Sequence, residues 1–479
     1  MTLSILRGLW VIVGFIYCNL SFGNTVVSGN APDFAGQTIE LCIYENMIDF
    51  VEEKVVSCKV SVNGDFSFTL NNNSTQLVFA HVGVYFMFLY VEPNSRYIVQ
   101  LPPRQDKKPE EKLNPYFEEK QVHLLIRECY KAEVLVPIQD ELNFYIRTFD
   151  DYYGPYMAKY AYNVATQQEL KDRDSTIKRI EILFPDNHFM FYNNYKNYKI
   201  GFLRLMSLKN KSKAISNEYF LNRPILYNQP SYSELFHQVY EKYFLYFGRT
   251  PQGRIIYDDI NLNKSYSRLK KTLSQDQVLQ NDSLKELVIL KGIHDGFYTA
   301  DFSREALLIV LDSLIANTQI TVHKTTGQQI RKKVTKLLPG YPAPDFSLYN
   351  PEGKLKSLKD FRGKYIYLMF CTTQNYACIS EFEQLKKIHE KFGEHVTIIT
   401  ILGDEQFLES QKYIKGKQLP WTFLHYGNYP DVLKEYDIRA FPTYFLLDNE
   451  GRMAISPAPS PSENIELKLF NELRAKGIL

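Results

Sequence analysis

The spacing of apolar positions changes along this chain from an alternating pattern to a helical one, and then to a mixture of the two. From residue 24 to about residue 101, short runs alternate as in Ile39-Glu40-Leu41-Cys42-Ile43, which is typical of strands with one buried face. Val60–Phe68 contains Asn63-Gly64, a pair that favours a tight hairpin turn. Further strand-like runs are Gln76–Val82, Val84–Val91 and Ser95–Leu101. We therefore predict a small antiparallel β-sandwich over residues 24–112.

A charged, proline-rich stretch over residues 102–112 precedes a region with a helical period. Apolar residues recur on one helical face over residues 138–152 and again over residues 307–315. Ser303 is placed to cap the second of these helices. The pattern predicts a mostly α-helical middle region over residues 113–337. The sequence of this region contains no recognisable catalytic motif.

Strand and helix patterns alternate in the last part of the chain, residues 338–479. The predicted strands are Tyr365–Phe370, Val396–Leu402 and Thr443–Leu447. The predicted helices are Cys378–Phe392, Glu405–Lys415 and Ser462–Lys476. Alternation of this kind is typical of an α/β sheet.

Length and charge narrow the classes of function. A chain of 479 residues suggests roughly three domains. Its 56 basic and 54 acidic residues form no basic stripe, which argues against nucleic acid as a partner. The nine histidines are scattered, and His389 and His395 lack the spacing of two metal ligands on one helical face. We expect no metal and no cofactor.

The first 23 residues have the pattern of a secretory signal peptide. Arg7 precedes the apolar run Leu9–Tyr17, and small residues in Ser21-Phe22-Gly23 suit cleavage. If the signal is cleaved, we expect an exported mature chain without a transmembrane span, since the apolar run is shorter than the roughly 20 residues that cross a bilayer. An uncleaved anchor is the alternative, and Cys18 leaves a lipid-anchored form as a less favoured one.

Five cysteines would remain after cleavage, an odd number that leaves at least one thiol unpaired or paired outside the chain. They are Cys42, Cys58, Cys129, Cys371 and Cys378. Cys42 and Cys58 either cross-link the β-sandwich or stay as two buried free thiols.

Several segments of the last part of the chain, in order, resemble the TlpA/ResA-like branch of the thioredoxin-fold proteins of the bacterial envelope. They are Gly340–Leu348, Ser357–Lys364, Tyr365–Glu381, Ala440–Tyr444 and Asp448–Gly451. The two regions before them resemble the N-terminal β and helical extensions of such proteins in Bacteroidetes-type bacteria. The resemblance implies a thioredoxin-like domain over residues 338–479 and an AhpC/TSA-like (redoxin) relationship. It also implies thiol–disulfide oxidoreductase chemistry in the periplasm or cell envelope of a Gram-negative bacterium. The implied partners are envelope proteins or peptides with thiols or disulfides.

The resemblance places a defect at the active site. In the family, a cysteine at the start of a helix attacks a disulfide as a thiolate, and a second cysteine three residues later resolves the mixed disulfide. These two positions fall on Asn375 and Cys378 of Asn375-Tyr376-Ala377-Cys378. Because an amide cannot attack a disulfide, we expect redox activity to be reduced or lost.

Three interpretations of this degenerate site remain open. Cys378 is a core residue of a domain that binds without catalysis, or it reacts alone or with Cys371, or it serves as a peroxidase cysteine. The peroxiredoxin spacing Pro-x-x-x-Thr-x-x-Cys ends on Cys378, but Cys371 and Asn375 stand at its proline and threonine. The candidate catalytic residues are Cys378 and its potential partner Cys371. The candidate binding residues are Asn375, Tyr376 and the family's cis-proline segment, Phe441, Pro442 and Thr443.

Overall fold

The structure, a computed structural model, describes residues 24–112, 114, 117–206, 212–404 and 407–479. The expected signal peptide, residues 1–23, and Cys18 lie outside the described residues. Within the described parts of the chain, no helix is both long and apolar enough to cross a membrane.

The N-terminal part is a sandwich of two five-stranded sheets over the described residues. Its strands are β1 (Asn24–Asn30), β2 (Thr38–Tyr44), β3 (Glu52–Lys59), β4 (Asp65–Asn71), β5 (Gln76–Val82), β6 (Tyr85–Val91), β7 (Ser95–Gln100), β8 (Lys120–His123), β9 (Leu125–Lys131) and β10 (Val134–Val136). The strand orders are β10-β9-β7-β1-β4 and β3-β2-β5-β6-β8. Apolar side chains from both sheets, including Phe66, Tyr97 and Met87, fill one core between them.

The predicted β-sandwich is confirmed, with three corrections. Strands β8 to β10 complete both sheets, so the middle region, expected to be helical from residue 113, has its first long helix at Leu142. The pairs β1–β7 and β6–β8 are parallel, so the sheets are mixed. The predicted hairpin over Val60–Phe68 is wrong, because β3 pairs with β2 whereas β4 pairs with β1. The Asn63-Gly64 turn, with Gly64 at a φ of 91°, carries the chain from one sheet to the other.

The middle region is helical. After α1 (Pro109–Lys112), its helices are α2 (Leu142–Ala165), α3 (Arg173–Leu183), α4 (Met190–Leu205), α5 (Ser212–Tyr219), α6 (Pro230–Val239), α7 (Tyr243–Gly248), α8 (Ile256–Asn261), α9 (Tyr266–Leu273), α10 (Asp282–Gly296), α11 (Arg304–Asn317) and α12 (Thr321–Thr335). The Ser303 side chain accepts a hydrogen bond from the Ala306 N–H, which confirms the predicted cap of α11.

One histidine joins the sandwich to the helical region. His237, on α6, bonds to the Met47 carbonyl at 2.7 Å, and its ring lies 4.8 Å from that of Phe50. Burial lowers the pKa of His237 from 6.5 to about 4. The imidazole is therefore neutral at neutral pH and donates its Nε2 proton to the carbonyl.

We expect acid to weaken this junction. Because the pKa of His237 is lowered in the folded state, its contribution to stability is complete above pH 6.5 and is lost as the pH falls toward 4. The free energy of unfolding should fall by about 2 kcal/mol. This is less than the full pKa shift of His237 implies, because the ring is partly exposed to solvent. Urea unfolding of the wild type and of His237→Gln at several pH values measures it. The glutamine can donate to Met47 but does not titrate, so parallel pH profiles of the two chains would contradict the expectation.

The C-terminal part is an α/β domain around a seven-stranded sheet within the described residues. Its strands are β11 (Ser347–Tyr349), β12 (Leu355–Ser357), β13 (Tyr365–Cys371), β14 (Val396–Leu402), β15 (Thr422–His425), β16 (Thr443–Leu447) and β17 (Met453–Ile455). Its helices are α13 (Tyr376–Phe392), α14 (Phe407–Lys417), α15 (Val432–Glu435) and α16 (Ile465–Ala475). The strand order is β12-β11-β15-β14-β13-β16-β17.

Helices cover both faces of this sheet. Leu385 of α13 and Leu469 of α16 pack on one face, and Val432 of α15 packs on the other. Strand β13 is parallel to β14 and antiparallel to β16. The carboxyl ends of β13 and β14 therefore lie at one edge of the sheet, together with the N-terminus of α13.

Candidate functional site

The candidate site lies where the central strand β13 passes into α13. Every residue of β13 is buried, and Cys371 is the last of them. Because side chains alternate along a strand, Tyr367, Met369 and Cys371 share the face that α13 covers. Cys378, in the first turn of α13, faces the same core. Two cysteines seven positions apart are thus brought together by the strand–turn–helix geometry.

Asn375 is the residue that begins this helix. Its side-chain oxygen accepts a hydrogen bond from the Ala377 N–H at 2.9 Å, as an N-cap does. Its Nδ2 donates to the carbonyl of Phe441 at 3.1 Å. At the position where the family carries its attacking thiol, this chain therefore has an amide that ties the helix to the proline loop.

The proline loop lies beside Asn375 and leaves a shallow open surface. The peptide bond between Phe441 and Pro442 is cis, as in the family's segment. Phe441, Pro442 and Thr443 are each half-buried, whereas the neighbouring Tyr376 side chain is 84% exposed. We call the surface formed by Asn375, Tyr376, Phe441, Pro442 and Thr443 the Pro442 surface.

The two thiols are sealed below this surface. Cys371 and Cys378 both have 0% exposure, and both are free. The Thr372 N–H points at the Cys378 sulfur at 3.5 Å. The adjacent Cys371 thiol and this N–H lower the pKa of Cys378, while burial keeps the pKa of Cys371 well above its usual value. If one of the two ionises, it is Cys378.

Asp404 fixes the turn between strand and helix, and the sequence analysis missed it. Its buried carboxylate accepts hydrogen bonds from the backbone N–H of Thr373 at 2.9 Å and from the Thr373 hydroxyl at 2.8 Å. The Asp404 carbonyl accepts from Nε2 of His425 at 2.6 Å. Asp404 follows the predicted strand Val396–Leu402, and polar residues at the carboxyl end of a parallel strand are a usual sign of a site. That sign was available in the sequence.

All seven predicted site residues therefore lie at one edge of the sheet, although their roles stay predictions. The five binding candidates form the Pro442 surface, and the two cysteines lie beneath it. This arrangement presents a half-buried proline loop and an exposed aromatic ring to solvent, but no thiol. Across the described residues, no group of three or more His, Cys, Asp or Glu side chains is placed to hold a metal ion.

Comparison with known proteins agrees with this architecture. The AhpC/TSA family model matches residues 339–455. Thiol-disulfide oxidoreductase ResA of Bacillus cereus is 30% identical over 131 residues, which are 27% of this chain and 75% of the relative. This chain belongs to the TlpA/ResA-like thioredoxin-fold family. The Bacillus subtilis thioredoxin-like protein YneN is 25% identical over 144 residues, 30% of this chain and 82% of that protein.

Solved structures from Bacteroides are also similar to this TlpA/ResA-like chain. The thioredoxin domain of a thiol-disulfide oxidoreductase from Bacteroides vulgatus is 26% identical and covers 28% of this chain and 99% of its own, with a TM-score of 0.26. A thiol:disulfide interchange protein from a Bacteroides species is 28% identical, covers 28% of this chain and 91% of its own, and has a TM-score of 0.26.

Proposed function

We propose that this TlpA/ResA-like protein of the cell envelope has lost disulfide exchange by the usual dithiol route and uses the Pro442 surface to bind extended peptide. The observation that carries the proposal is the Asn375 side chain, which spans from the first turn of α13 to the carbonyl of Phe441. It occupies the place of the attacking thiol with a hydrogen-bonding group.

The chemical argument against exchange has two parts. Disulfide exchange begins with a thiolate that reaches a substrate sulfur, and the side chain of Asn375 has no sulfur to offer. The resolving thiol, Cys378, is 0% exposed, so an external disulfide cannot contact it without opening the first turn of the helix. Family membership alone therefore does not supply the activity.

The argument for binding rests on what remains exposed. In the family, the cis-proline segment holds substrate backbone across the site, and that segment is retained in Phe441-Pro442-Thr443. Tyr376 adds a largely exposed aromatic ring next to it, a residue type that is enriched in interfaces because it buries much area at little entropic cost. A peptide lying across the Pro442 surface would gain backbone hydrogen bonds and a ring contact together.

A reduction assay on the full mature chain tests the loss of exchange. With insulin as the disulfide and dithiothreitol as the reductant, we expect the wild type and Cys378→Ala to match the uncatalysed rate. Catalysis by the wild type that disappears in Cys378→Ala would overturn this part of the proposal. Consumption of hydrogen peroxide that depends on Cys378 would instead support the peroxidase interpretation.

Peptide binding is tested separately, with the carboxymethylated B chain of insulin as an unfolded probe without free thiols. We expect Tyr376→Ala to weaken binding about fivefold to tenfold, the effect of losing one aromatic contact. Phe470→Ala is the matched control, because Phe470 is also an exposed aromatic residue, with 42% of it accessible, but it lies on α16, away from the Pro442 surface. Glu466 of α16 pairs with Lys391, which lies at the opposite end of α13 from Asn375. Equal affinities of the wild type and Tyr376→Ala would contradict the assignment of the surface.

The adjacent thiols favour a second candidate function, an internal redox couple. Cys371 and Cys378 would each lose one hydrogen atom to form a disulfide, and an external low-molecular-weight disulfide would be reduced to two thiols. Because both thiols are buried, the external disulfide reaches them only when the first turn of α13 opens. The lowered pKa of Cys378 beside Cys371 favours this step. Mass spectrometry after treatment with excess oxidised glutathione should show a linked Cys371–Cys378 peptide. Two free thiols after prolonged treatment would exclude this candidate.

A further inference from the structure

The three parts of the chain enclose a large cleft away from the thiols. Its volume is about 1710 Å³, whereas small-molecule sites usually measure about 300–1,000 Å³. Sheet residues such as Phe88, helical residues such as Asp150, and Lys434 of α15 all line it. We call this space the interdomain cleft. Its size suits a segment of polymer better than a single small molecule.

Aromatic rings form a continuous row along the cleft. Phe86, Phe88 and Tyr90 are two residues apart on β6, with ring centroids 6.2 and 6.3 Å apart. The row continues from Tyr90 to Tyr195 of α4 at 5.9 Å. Because strand residues two apart point the same way, the rings of β6 form one row. Phe86 and Phe88 are half-buried and face the cleft, whereas Tyr90 and Tyr195 are each only 4% exposed.

This row already holds a cation. The Lys199 ammonium group lies 5.4 Å from the ring centre of Tyr195 and 6.0 Å from that of Tyr153. Such a position gains from the attraction between a cation and the negative face of a ring. The half-buried rings of Phe86 and Phe88 offer further positions of the same kind.

The charge of the lining is negative, although the whole chain is nearly balanced. Among the described residues that line the cleft, nine are acidic and four are lysine. His81 also lines it and is a further cation at neutral pH, because its hydrogen bonds to Glu119 and Glu52 raise its pKa to about 9. The acidic residues are Glu45, Glu52, Glu111, Glu118, Glu119, Asp150, Glu234, Asp431 and Asp437. The whole chain has 54 acidic and 56 basic residues, so the excess is local to the cleft. Five of the nine carboxylates already form ion pairs, namely those of Glu52, Glu119, Glu234, Asp431 and Asp437, and the other four remain for a ligand. A cationic ligand complements it.

Asp150 is the most favourable anchor for a cation. Its carboxylate accepts hydrogen bonds from the Tyr195 hydroxyl at 3.0 and 2.9 Å. The neighbouring Lys199 ammonium group is bonded to Glu234 at 2.6 Å. Burial raises the pKa of Asp150 to about 6, because removal of a carboxylate from water disfavours its charged form. A ligand ammonium or guanidinium group would favour that form instead.

We propose that the interdomain cleft binds an extended basic peptide, with Lys or Arg side chains against its acidic residues and aromatic or apolar side chains on the Phe86 and Phe88 rings. Its volume suits a peptide rather than a single small cation, and its negative lining disfavours nucleic acid. The proposal goes beyond the proposed function, because it depends on neither Asn375 nor the thiols.

Fluorescence anisotropy on the full mature chain tests the ligand class. The probes are labelled peptides of Lys-Gly-Tyr, Ser-Gly-Tyr and Glu-Gly-Tyr repeats of equal length. We expect the lysine peptide to bind at least about tenfold more tightly than the serine peptide, and the glutamate peptide to bind most weakly. Equal binding of the three peptides, or no binding of the lysine peptide at millimolar concentration, would overturn the proposal.

Two variants locate the site. We expect Asp150→Asn and Phe88→Ala each to weaken binding of the lysine peptide by about fivefold to tenfold. Matched controls outside the cleft are Asp312→Asn and Tyr246→Ala, which should bind as the wild type does. Asp150→Asn keeps the shape of the side chain, so it remains informative even if Phe88→Ala unfolds. Wild-type affinity in a folded Asp150→Asn chain would place the peptide elsewhere and refute the assignment.

Discussion

Asn375→Cys is expected to give this chain a dithiol reductase activity well above that of the wild type. The substitution restores Cys-x-x-Cys over residues 375–378, with the new thiol at the N-cap of α13 and Cys378 in place as the resolving thiol. A thiol at a helix N-terminus has a lowered pKa, so a substantial fraction is thiolate at neutral pH. Insulin reduction by dithiothreitol should rise at least about tenfold above the wild-type rate.

Two further variants separate the chemistry from the loss of the amide. Asn375→Ser keeps a helix-capping oxygen but supplies no thiol, and it should stay at the wild-type rate. Asn375→Cys combined with Cys378→Ala should form mixed disulfides with insulin but not turn over, because nothing resolves them. Losing the amide should cost about 1 kcal/mol of stability through the cap, so thermal unfolding checks that all variants are folded. A folded Asn375→Cys chain without activity would mean that the site has changed beyond its missing thiol.

In the folded protein, Cys371 and Cys378 are expected to react with alkylating agents at least about a hundredfold more slowly than Cys58. Both buried thiols have 0% exposure, whereas Cys58 is partly exposed on β3. A buried thiol reacts only after local opening, and an opening free energy of about 3 kcal/mol already slows it by about two orders of magnitude. A time course with iodoacetamide, read peptide by peptide by mass spectrometry, measures the three rates.

The control is the same time course in guanidinium chloride, where the three thiols should react at similar rates. Reaction of Cys378 as fast as that of Cys58 in the folded chain would refute its burial and revive the single-cysteine interpretations. Protection of both thiols with retention of their reduced state would favour the binding function. Protection that arises because the two thiols become linked would favour the internal redox couple.

Local pattern predicted much of the C-terminal domain. The strands Val396–Leu402 and Thr443–Leu447 have the predicted bounds, and α13 begins two residues before its predicted start. These elements succeed because period and length alone distinguish a buried strand from an amphipathic helix. The predicted hairpin over Val60–Phe68 failed for a physical reason. A turn sequence specifies how the chain reverses, but the partner of each strand is chosen by where the two apolar faces can pack.

The candidate site, too, was predicted in part from local sequence, whereas the rest depends on contacts between distant segments. The sequence by itself determined that the chain carries the strand, turn, helix and proline segment of its family, and it predicted that Asn375 stands at the position of the attacking cysteine. Only the tertiary structure decided that the Asn375 amide bonds to Phe441, 66 positions away, that Cys371 meets Cys378 in a sealed core, and that three regions enclose the interdomain cleft. Residue identity and periodicity are local properties of the chain. Contacts between distant segments depend on how whole elements pack, which no local pattern encodes.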